Sequence, residues 1–344
     1  MRSATFARAI RGSNAIAGCP VTMEDALGAV EDLEPVEATA ESWQAVIGYR
    51  NAMTYISQLA GDPHFAHGEG LLRALHFMMT GHDPASNPGL WRPGHAYVRS
   101  GASGEVLYEG PDAELLPGLM GELTESLAAA EGMPGMVSAA LAHLNLVMIH
   151  PFSDGNGRMA RGLQTLVLAR EGVLDPLLYS IEEYLGRNAE GYFNALADTG
   201  KGSWNPERSP RPWVRFCLTA HFRQASTLLR RGRQMARIWE ELGLESERHD
   251  FPKRAALALL IGAYGNRIHN AWYRKAAQIS QNLASRELKM LADLDLILPH
   301  GEGRGRYYLA SETIQQIRER TDEPRSGEGP FARVQTTIPG IGKS

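Results

Sequence analysis

The residues best suited to chemistry in this 344-residue chain lie in one short segment, residues 150–161, which reads HPFSDGNGRMAR. It places a histidine (His150), a carboxylate (Asp154) and two arginines (Arg158 and Arg161) around a glycine-rich turn. An imidazole, with an ordinary pKa of about 6.5, is the strongest general-base candidate in the segment. The carboxylate can hold Mg²⁺, which proteins bind through one or two carboxylates together with phosphate oxygens. These residue types predict a site for phosphate chemistry.

The turn formed by Gly155, Asn156 and Gly157 is suited to binding an anion. Glycine and asparagine tolerate positive φ, so we expect the backbone to turn sharply here and to come close to a ligand. Successive N–H groups at a helix N-terminus form an anion-binding nest, which the helix dipole strengthens. Arg158 and Arg161 share one face of that first turn, where the dipole opposes each cation by up to about 1 kcal/mol. Two cations in that place predict a bound polyanion, and the whole segment predicts nucleotide phosphoryl chemistry.

Each of these features also has a plainer interpretation. A DGNG sequence is usually only a turn. A histidine after an apolar helix is more often a core residue, and arginines on a helix are usually solvated. Their occurrence together, in this order and within twelve residues, favours the phosphate site.

Two predicted helices must position this segment. Residues 136–149 are apolar with helical spacing, and the helix must end where Pro151 cannot continue it. Residues 158–170 form the next predicted helix, which ends at Glu171 and Gly172, a favourable C-terminal signal. We therefore expect the histidine at the end of one buried helix, with a tight turn leading into the next.

The segment resembles the signature of the Fic family, His-Pro-Phe-x-Asp/Glu-Gly-Asn-Gly-Arg-x-x-Arg, at every fixed position. The resemblance implies a mainly α fold, with a helical Fic core and a short β-hairpin flap. It also implies transfer of AMP from ATP to a Ser, Thr or Tyr hydroxyl of a target protein, or of the protein itself. The chain would then be a protein adenylyltransferase that uses Mg²⁺ as its cofactor.

The family pattern assigns a role to each matching position. His150 would deprotonate the target hydroxyl, and Asp154 would bind Mg²⁺ between the α- and β-phosphates. The backbone of residues 155–157 would hold the phosphates. Arg158 and Arg161 would contact the outer phosphates.

A second predicted feature is a β-hairpin over residues 95–109, where alternating side chains flank a Gly/Ser turn. Fic proteins carry such a flap, which binds an extended target segment by strand addition. The resemblance makes Tyr97, Val98, Leu107 and Tyr108 the target-docking residues. The alternative is an ordinary exposed hairpin.

Tyr192 and Phe193 lie in a stretch that resembles the region around the adenine in Fic proteins. We expect them near the adenine on the strength of this resemblance alone. Packing within an ordinary helix is an equally good interpretation of both residues.

The N-terminal segment departs from the family pattern at one position. Many Fic proteins have an inhibitory helix with Ser/Thr-x-x-x-Glu-Gly/Asn, whose glutamate pairs with the second motif arginine and blocks productive ATP binding. Here Ser13 and Gly18 match, but Ala17 stands where the glutamate is expected. A methyl group cannot pair with Arg161, so we expect relieved autoinhibition, and we expect removal of AMP, in which that glutamate positions water, to be disfavoured. A chance match to this short motif is the alternative.

Residues 250–315 are predicted to form a separate winged-helix domain, with three helices followed by two strands around a glycine-rich turn. Residues 253–311 hold nine Lys or Arg and four Asp or Glu, so this part is basic although the whole chain has a formal net charge of −4. It resembles the C-terminal winged helix of many bacterial Fic proteins. Binding of DNA through this domain and a role in dimerisation or substrate presentation are equally good interpretations.

These predictions divide the chain into an inhibitory segment, a Fic domain, a winged-helix domain and a flexible tail, at residues 1–18, 19–245, 250–315 and 320–344. The negative net charge excludes a globally basic nucleic-acid binder. The chain has two cysteines, Cys19 and Cys217, which are far apart and predict a reducing compartment. No apolar run reaches the roughly 18 residues of a membrane span, and the N-terminus lacks the core of a signal peptide. We therefore expect a cytoplasmic protein that does not bind membranes.

Three functions stay open at this stage. The first is an AMP transferase whose partners are ATP and a target protein with a hydroxyl side chain; Fic proteins of this layout are often homodimers. The second is a Fic enzyme that transfers UMP, GMP, phosphocholine or phosphate, although the intact Arg158 and Arg161 favour a nucleoside triphosphate. The third is a winged-helix DNA-binding regulator whose Fic core only senses nucleotide. The complete motif argues against this last function, because a sensor does not need His150.

Overall fold

The structure of the chain is a computed structural model, which describes residues 2–99, 103–129, 132–172, 180–324 and 329–331. The chain divides into two compact units, Met1–Ala225 with Glu328–Ser344, and Ser226–Gly327. The buried apolar clusters of the two units share no residue.

The first unit is built from helices. They are α1 (Arg2–Ile16), α2 (Met23–Val30), α3 (Ala40–Leu59), α4 (Glu69–Thr80), α5 (Leu116–Ala128), α6 (Gly135–Ile149), α7 (Asn156–Arg170), α8 (Glu182–Arg187), α9 (Ala189–Gly200) and the first part of α10 (Arg211–Arg248). The predicted mainly α fold is confirmed.

Helices α6 and α7 form the centre of this unit. The apolar α6 ends at Ile149, because Pro151 has no N–H with which to continue the helix. Helix α7 is buried along almost its whole length and packs against α3 and α4. The shared core includes Met53 from α3 and Leu163 from α7, both of which are fully buried.

The flap is a two-stranded antiparallel sheet of β1 (Tyr97–Arg99) and β2 (Val106–Glu109). Its register pairs Tyr97 with Glu109. The backbone of Glu109 also pairs with the loop after α9: its N–H donates to Gly202 O at 3.0 Å, and its carbonyl accepts from the N–H of Trp204 at 2.9 Å. The two paired strands of the predicted hairpin are confirmed, while residues 100–102 of its predicted turn lie outside the described residues. Strand β2 is tied to the body of the first unit.

The second unit contains the rest of α10 and, as its α-helices and strands, α11 (Ala256–Ala263), α12 (Asn270–Ala277), α13 (Gln281–Asp293), β3 (Ile297–His300), β4 (Tyr307–Ala310) and α14 (Glu312–Thr321). Strands β3 and β4 are antiparallel. An isolated bridge joins Ile268 to Tyr308, with Ile268 N–H donating to Tyr308 O at 2.8 Å. The predicted order of three helices and a hairpin is confirmed, and Ile268 adds a strand residue that the sequence analysis did not identify.

The two compact units divide between Ala225 and Ser226, within α10. The later residues Ile238 and Leu242 of this helix belong to the core of the second unit. The predicted domain bounds therefore divide α10 differently from the compact units, and they stay predictions.

Part of the predicted tail over residues 320–344 cannot be compared with the structure, because residues 325–328 and 332–344 lie outside the described residues. Within the part that the structure describes, no helix is both long enough and apolar enough to cross a membrane. The predicted cytoplasmic location stays a prediction.

Candidate functional site

His150 lies just past the end of α6 and has a left-handed backbone with φ 53°. Its N–H donates to Leu146 O at 3.0 Å. Its Nδ1 lies 3.3 Å from Val147 O, which assigns the ring proton to Nδ1 and leaves the lone pair on Nε2. Burial lowers the pKa of His150 below its ordinary value, and the bond to Val147 offsets part of this effect. The side chain is therefore a neutral imidazole at pH 7 and can accept a proton.

Arg92 fixes the backbone around His150. Its side chain, in a residue only 4% exposed, donates from Nε to His150 O at 2.7 Å, and its own backbone N–H donates to Pro151 O at 2.8 Å. Nη1 of Arg92 donates to Gly94 O and Nη2 donates to Pro111 O, at the two ends of the flap. Arg92 thus joins the histidine to the flap. No local sequence pattern marks Arg92, so its role could not be predicted from the sequence.

Phe152 and His76 anchor the loop after α6 in the core. Their rings stack with centroids 3.7 Å apart, and both residues are fully buried. Nδ1 of His76 accepts from Gly89 N–H at 2.8 Å, so Nε2 carries the proton and donates to Asp154 O at 3.0 Å. Burial lowers the pKa of His76 to about 4, so the ring is neutral at pH 7. His76 was also not identified from the sequence, because a single histidine on an amphipathic helix usually has a packing role.

Asn156 closes the loop with its side chain. Its Oδ1 accepts from Phe152 N–H at 2.9 Å, and its Nδ2 donates to Phe152 O at 2.8 Å. The expectation of positive φ is correct for Gly155 (φ 75°) but not for Gly157, because α7 already begins at Asn156. Gly157 has a different role: a Cβ there would lie 3.2 Å from Nη1 of Arg161, so glycine leaves room for the guanidinium.

The two arginines present buried donors at the first turn of α7. Arg158 donates from Nη2 to Asp154 Oδ2 at 2.8 Å. Its Nε and Nη1, and Nη1 of Arg161, are buried and have no hydrogen-bond partner among the residues that the structure describes. A buried donor without an acceptor is costly, because it has lost water without gaining a protein partner. Guanidinium N–H groups of this kind are chemically suited to an anion, so the predicted phosphate-binding role of the two arginines stays a prediction that fits their geometry.

The predicted inhibitory segment meets Arg161 through Ser13. Nε of Arg161 donates to Ser13 Oγ at 2.7 Å, and Nη2 donates to Ser13 O at 3.0 Å. Ala17 and Gly18 follow the end of α1 and are exposed. The contact that the structure shows is thus made four residues before Ala17.

Asp154 is the carboxylate that could hold Mg²⁺. Its side chain is 65% exposed, while its carbonyl is fixed by His76. The described part of the chain contains no group of three or more His, Cys, Asp or Glu side chains placed to bind a metal. A single carboxylate fits Mg²⁺, which keeps water and substrate phosphate oxygens as its other ligands.

The four predicted flap residues differ in their surroundings. Tyr97 and Leu107 are 44% and 51% exposed, whereas Val98 and Tyr108 are partly buried. The hydroxyl of Tyr108 donates to Met148 O at 2.8 Å, and burial raises its pKa. Tyr108 thus ties β2 to α6, while Tyr97 and Leu107 are the members of the set with exposed side chains. The docking role stays a prediction.

Tyr192 and Phe193 also differ in their surroundings. Tyr192 is buried, and its hydroxyl donates to Nε2 of His143 at 3.1 Å. His143 donates from Nδ1 to Gln164 Oε1 at 2.6 Å, and burial lowers its pKa to about 3. Phe193 is 50% exposed, so it is the member of the pair with a ring available to a ligand. Their place near the adenine stays a prediction.

Residues 68–168 match the model of the Fic/DOC family. This range begins just before α4, includes the flap, and ends two residues before the end of α7. It therefore holds every residue of the loop between α6 and α7.

Named relatives match parts of the chain. Protein adenylyltransferase fic-1 of Caenorhabditis elegans is 50% identical over 78 residues, which are 23% of this chain and 13% of that protein. Protein adenylyltransferase Fic of Culex quinquefasciatus is 31% identical over 174 residues, which are 50% of this chain and 31% of that protein. The chain thus spans less than a third of either relative.

Solved structures share the fold. A Fic family protein from Desulfovibrio desulfuricans G20 matches with a TM-score of 0.58 and 21% identity, over 90% of this chain and 87% of that one. Fic-1 (residues 134–508) from C. elegans matches with a TM-score of 0.51 and 22% identity, over 64% of this chain and 61% of that one. At these identities the likeness establishes the fold alone.

Proposed function

Residues 68–168 of this chain are a Fic/DOC family domain, and from this premise we propose that the protein is an adenylyltransferase. It moves AMP from ATP to a Ser, Thr or Tyr hydroxyl of a target protein. The observation that carries the proposal is the set of buried, unpartnered N–H groups on Arg158 and Arg161, one helical turn from the loop that holds His150. Guanidinium groups are well suited to phosphate oxygens. The relatives' names support the same activity.

The reaction uses His150 as its base. The target hydroxyl donates to Nε2, and its proton passes to that nitrogen as the hydroxyl oxygen forms a bond to the α-phosphorus. The bond from the α-phosphorus to the bridging oxygen of the β-phosphate breaks, and pyrophosphate leaves with that electron pair. AMP stays on the target as a phosphodiester. The Nδ1–H bond to Val147 O holds the required tautomer throughout.

The first turn of α7 binds the phosphates. Arg158 and Arg161 stabilise the charge that develops on the leaving pyrophosphate. Backbone N–H groups after Gly155 add to this at the positive end of the helix dipole. Asp154 would hold Mg²⁺, which, when bound, offsets phosphate charge.

Parallel labelling experiments test this proposal. The full chain is incubated with Mg²⁺ and ATP labelled on the α- or the γ-phosphate, with and without a cell extract as the source of targets. We expect protein labelling from the α-label only, lost in His150→Ala and kept in the control His64→Ala, which changes an exposed histidine. Labelling from the γ-label only would mean phosphate transfer and would overturn the proposal. Labelling from UTP, GTP or a phosphocholine donor, but not from ATP, would assign a different donor.

Relieved autoinhibition is part of the proposal, because Ala17 has no carboxylate. We expect Ala17→Glu to lower the transfer rate by about tenfold or more, since a new ion pair with Arg161 would compete with phosphate. Ala17→Gln is the control, because glutamine has nearly the same volume as glutamate but carries no charge. Equal rates for the Glu and Gln variants would rule out this account of position 17.

A second function, duplex DNA binding by the second unit, is supported by α13. Between residues 281 and 289 its exposed side chains are amide, hydroxyl or basic: Gln281, Asn282, Ser285, Arg286 and Lys289. The acid of this stretch, Glu287, is buried and accepts from Nε of Arg254 at 2.8 Å. Amide and guanidinium groups suit base edges, and cations suit phosphates. A helix face with this composition next to a hairpin favours DNA over the alternatives of dimerisation and substrate presentation.

Salt-dependent binding tests the second function. The full chain is titrated into a fluorescent random-sequence duplex at several salt concentrations. Arg286→Ala/Lys289→Ala should reduce the slope of log affinity against log salt by about 2. The control Arg248→Ala/Lys253→Ala removes two exposed cations elsewhere in the unit and should leave the slope unchanged. No binding by the unaltered chain, with a dimer observed by light scattering and lost in the α13 variant, would favour dimerisation.

A further inference from the structure

The guanidinium of Arg161 is enclosed by a helix that lies far away in the sequence. Arg161 is 2% exposed, and Ser13 on α1 accepts from it twice, once with its hydroxyl at 2.7 Å and once with its carbonyl at 3.0 Å. Ser13 is itself fully buried. Two bonds from two guanidinium nitrogens to one residue fix both the position and the rotation of the group.

A buried carboxylate balances the charge of Arg161. Glu182, at the start of α8, is 1% exposed and accepts from the hydroxyl of Tyr49. Burial raises the pKa of Glu182, while the Tyr49 bond and the charge of Arg161 hold it down. A cation and a carboxylate buried in the same surroundings cost less than either alone. The guanidinium can therefore stay in this place when no ligand is present.

Close contact between α1 and α8 brings Ser13 and Glu182 together. A Cβ on Gly186 would lie 2.6 Å from the Cα of Gly12, and a Cβ on Gly12 would overlap the carbonyl of Glu182. Glycine on both helices is thus required for the backbones to meet. The residue after Gly12 is Ser13, so this crossing determines where the acceptor for Arg161 lies.

One nitrogen of the Arg161 guanidinium, Nη1, is left for a ligand. Nε and Nη2 are bonded to Ser13, and Nη1 is buried with no partner in the described ranges. Nη1 lies 3.2 Å from the point that a Cβ of Gly157 would occupy, which is at the first turn of α7. The one guanidinium nitrogen without a partner in the described ranges is therefore next to the first turn of α7, the turn to which the proposed function assigns the phosphates.

We propose that Ser13 is a positioning residue for the donor nucleotide: it holds Arg161 so that Nη1 contacts the outermost phosphate. This inference rests on the proposed function, because it takes ATP as the ligand of the α7 turn. On this inference α1 contributes to nucleotide binding. The helix that resembles an inhibitory element, but lacks its glutamate, completes the nucleotide site.

Binding measurements on the full chain test the inference without requiring transfer. Affinities for Mg²⁺-ATP and for AMP are measured by calorimetry for the unaltered chain, Ser13→Ala and Ser13→Thr. We expect Ser13→Ala to weaken ATP about tenfold and AMP hardly at all, because AMP has no outer phosphate. Ser13→Thr keeps the hydroxyl and should restore most of the ATP affinity. Ser3→Ala, on the same helix, is the control.

Steady-state kinetics show whether Ser13 positions Arg161 for ATP or restrains it from binding ATP. If Ser13 positions Arg161, Ser13→Ala raises the KM for ATP more than it lowers kcat. A higher transfer rate in Ser13→Ala would show that α1 restrains the arginine and would overturn the inference, as would an unchanged ratio of ATP to AMP affinity. Thermal unfolding of each variant checks that the loss is not one of folding. If ATP binds but no label is transferred, the proposed function fails, while the ratio of ATP affinity to AMP affinity in Ser13→Ala still decides the role of Ser13. If the unaltered chain binds ATP no better than AMP, the inference about Ser13 fails.

Discussion

The left-handed backbone of His150 determines which of its ring nitrogens faces the chemistry. A non-glycine residue in this region costs about 1–2 kcal/mol. The bond from Arg92 to the His150 carbonyl helps to hold this backbone in place. With this backbone conformation the imidazole lies against the last turn of α6, where Nδ1 is within hydrogen-bond distance of Val147 O. The left-handed position thus assigns the tautomer, and with it the nitrogen, Nε2, that keeps its lone pair for the proposed role as the base.

The pH dependence of transfer follows from the burial of His150. Because burial lowers its pKa, the ring is neutral at pH 7. It stops acting as a base only when the pH falls far enough to protonate it. We expect kcat/KM to be flat around pH 7 and to fall about tenfold per pH unit below a midpoint that lies under the ordinary value of about 6.5. Initial rates across the acid range, with circular dichroism at each pH as the folding control, give the midpoint. A midpoint above 6.5 would contradict this account.

His76 illustrates a residue whose importance only the structure shows. We expect His76→Phe to keep the stack on Phe152 but to leave Gly89 N–H and Asp154 O without partners, at a cost of about 1–3 kcal/mol each. Urea unfolding should show this loss. The transfer rate should also fall, because the Asp154 carbonyl is no longer fixed. The exposed His64→Phe is the control, and equal stability of the two variants would contradict the structural role of His76.

At the scale of elements, local signals predicted the ends of helices better than the contacts between them. Pro151 and Gly155 stop one helix and start the next, and both effects depend only on neighbouring residues. Positive φ was expected at Gly157 and is absent, because this glycine lies within α7 and leaves room for the Arg161 guanidinium one helical turn further along. Arg92 and His76 make their bonds across long sequence separations, so no local pattern could identify them.

Arg92 couples the flap to the catalytic loop, and Arg92→Lys tests that coupling. Lysine keeps the charge but lacks the planar fork, so it cannot bond His150 O, Gly94 O and Pro111 O together. We expect kcat/KM for the protein target to fall about tenfold or more, since both the base and the flap are loosened. The affinity for ATP should change little, because Arg158 and Arg161 are untouched. Arg99→Lys, on the exposed edge of the flap, is the control; a selective loss of ATP affinity would contradict the coupling.

At the scale of the whole molecule, the sequence predicted two main domains that divide between residues 245 and 250, and this boundary stays a prediction; the two compact units of the structure divide between Ala225 and Ser226. The basic stretch over residues 253–311 marks the second unit clearly. The division falls inside α10, a continuous helix of 38 residues whose Ile238 and Leu242 pack with the second core. Because α10 continues through this division without a break, only the tertiary contacts show which core each of its residues joins.

The separate cores predict that the two units can be destabilised one at a time. Leu291 is fully buried in the second core and Leu163 in the first, and Leu→Ala at such sites costs about 2–5 kcal/mol. We expect Leu291→Ala to lower the unfolding temperature of the second unit and to leave AMP transfer at 25 °C nearly unchanged, because each residue of the proposed site packs in the first unit. Leu163→Ala should lower both, since α7 holds the arginines. Calorimetry gives the unfolding transition of each unit, and transfer rates are measured in parallel. Loss of transfer in Leu291→Ala, with the unfolding transition of the first unit unchanged, would mean that the first unit requires the second unit in order to act.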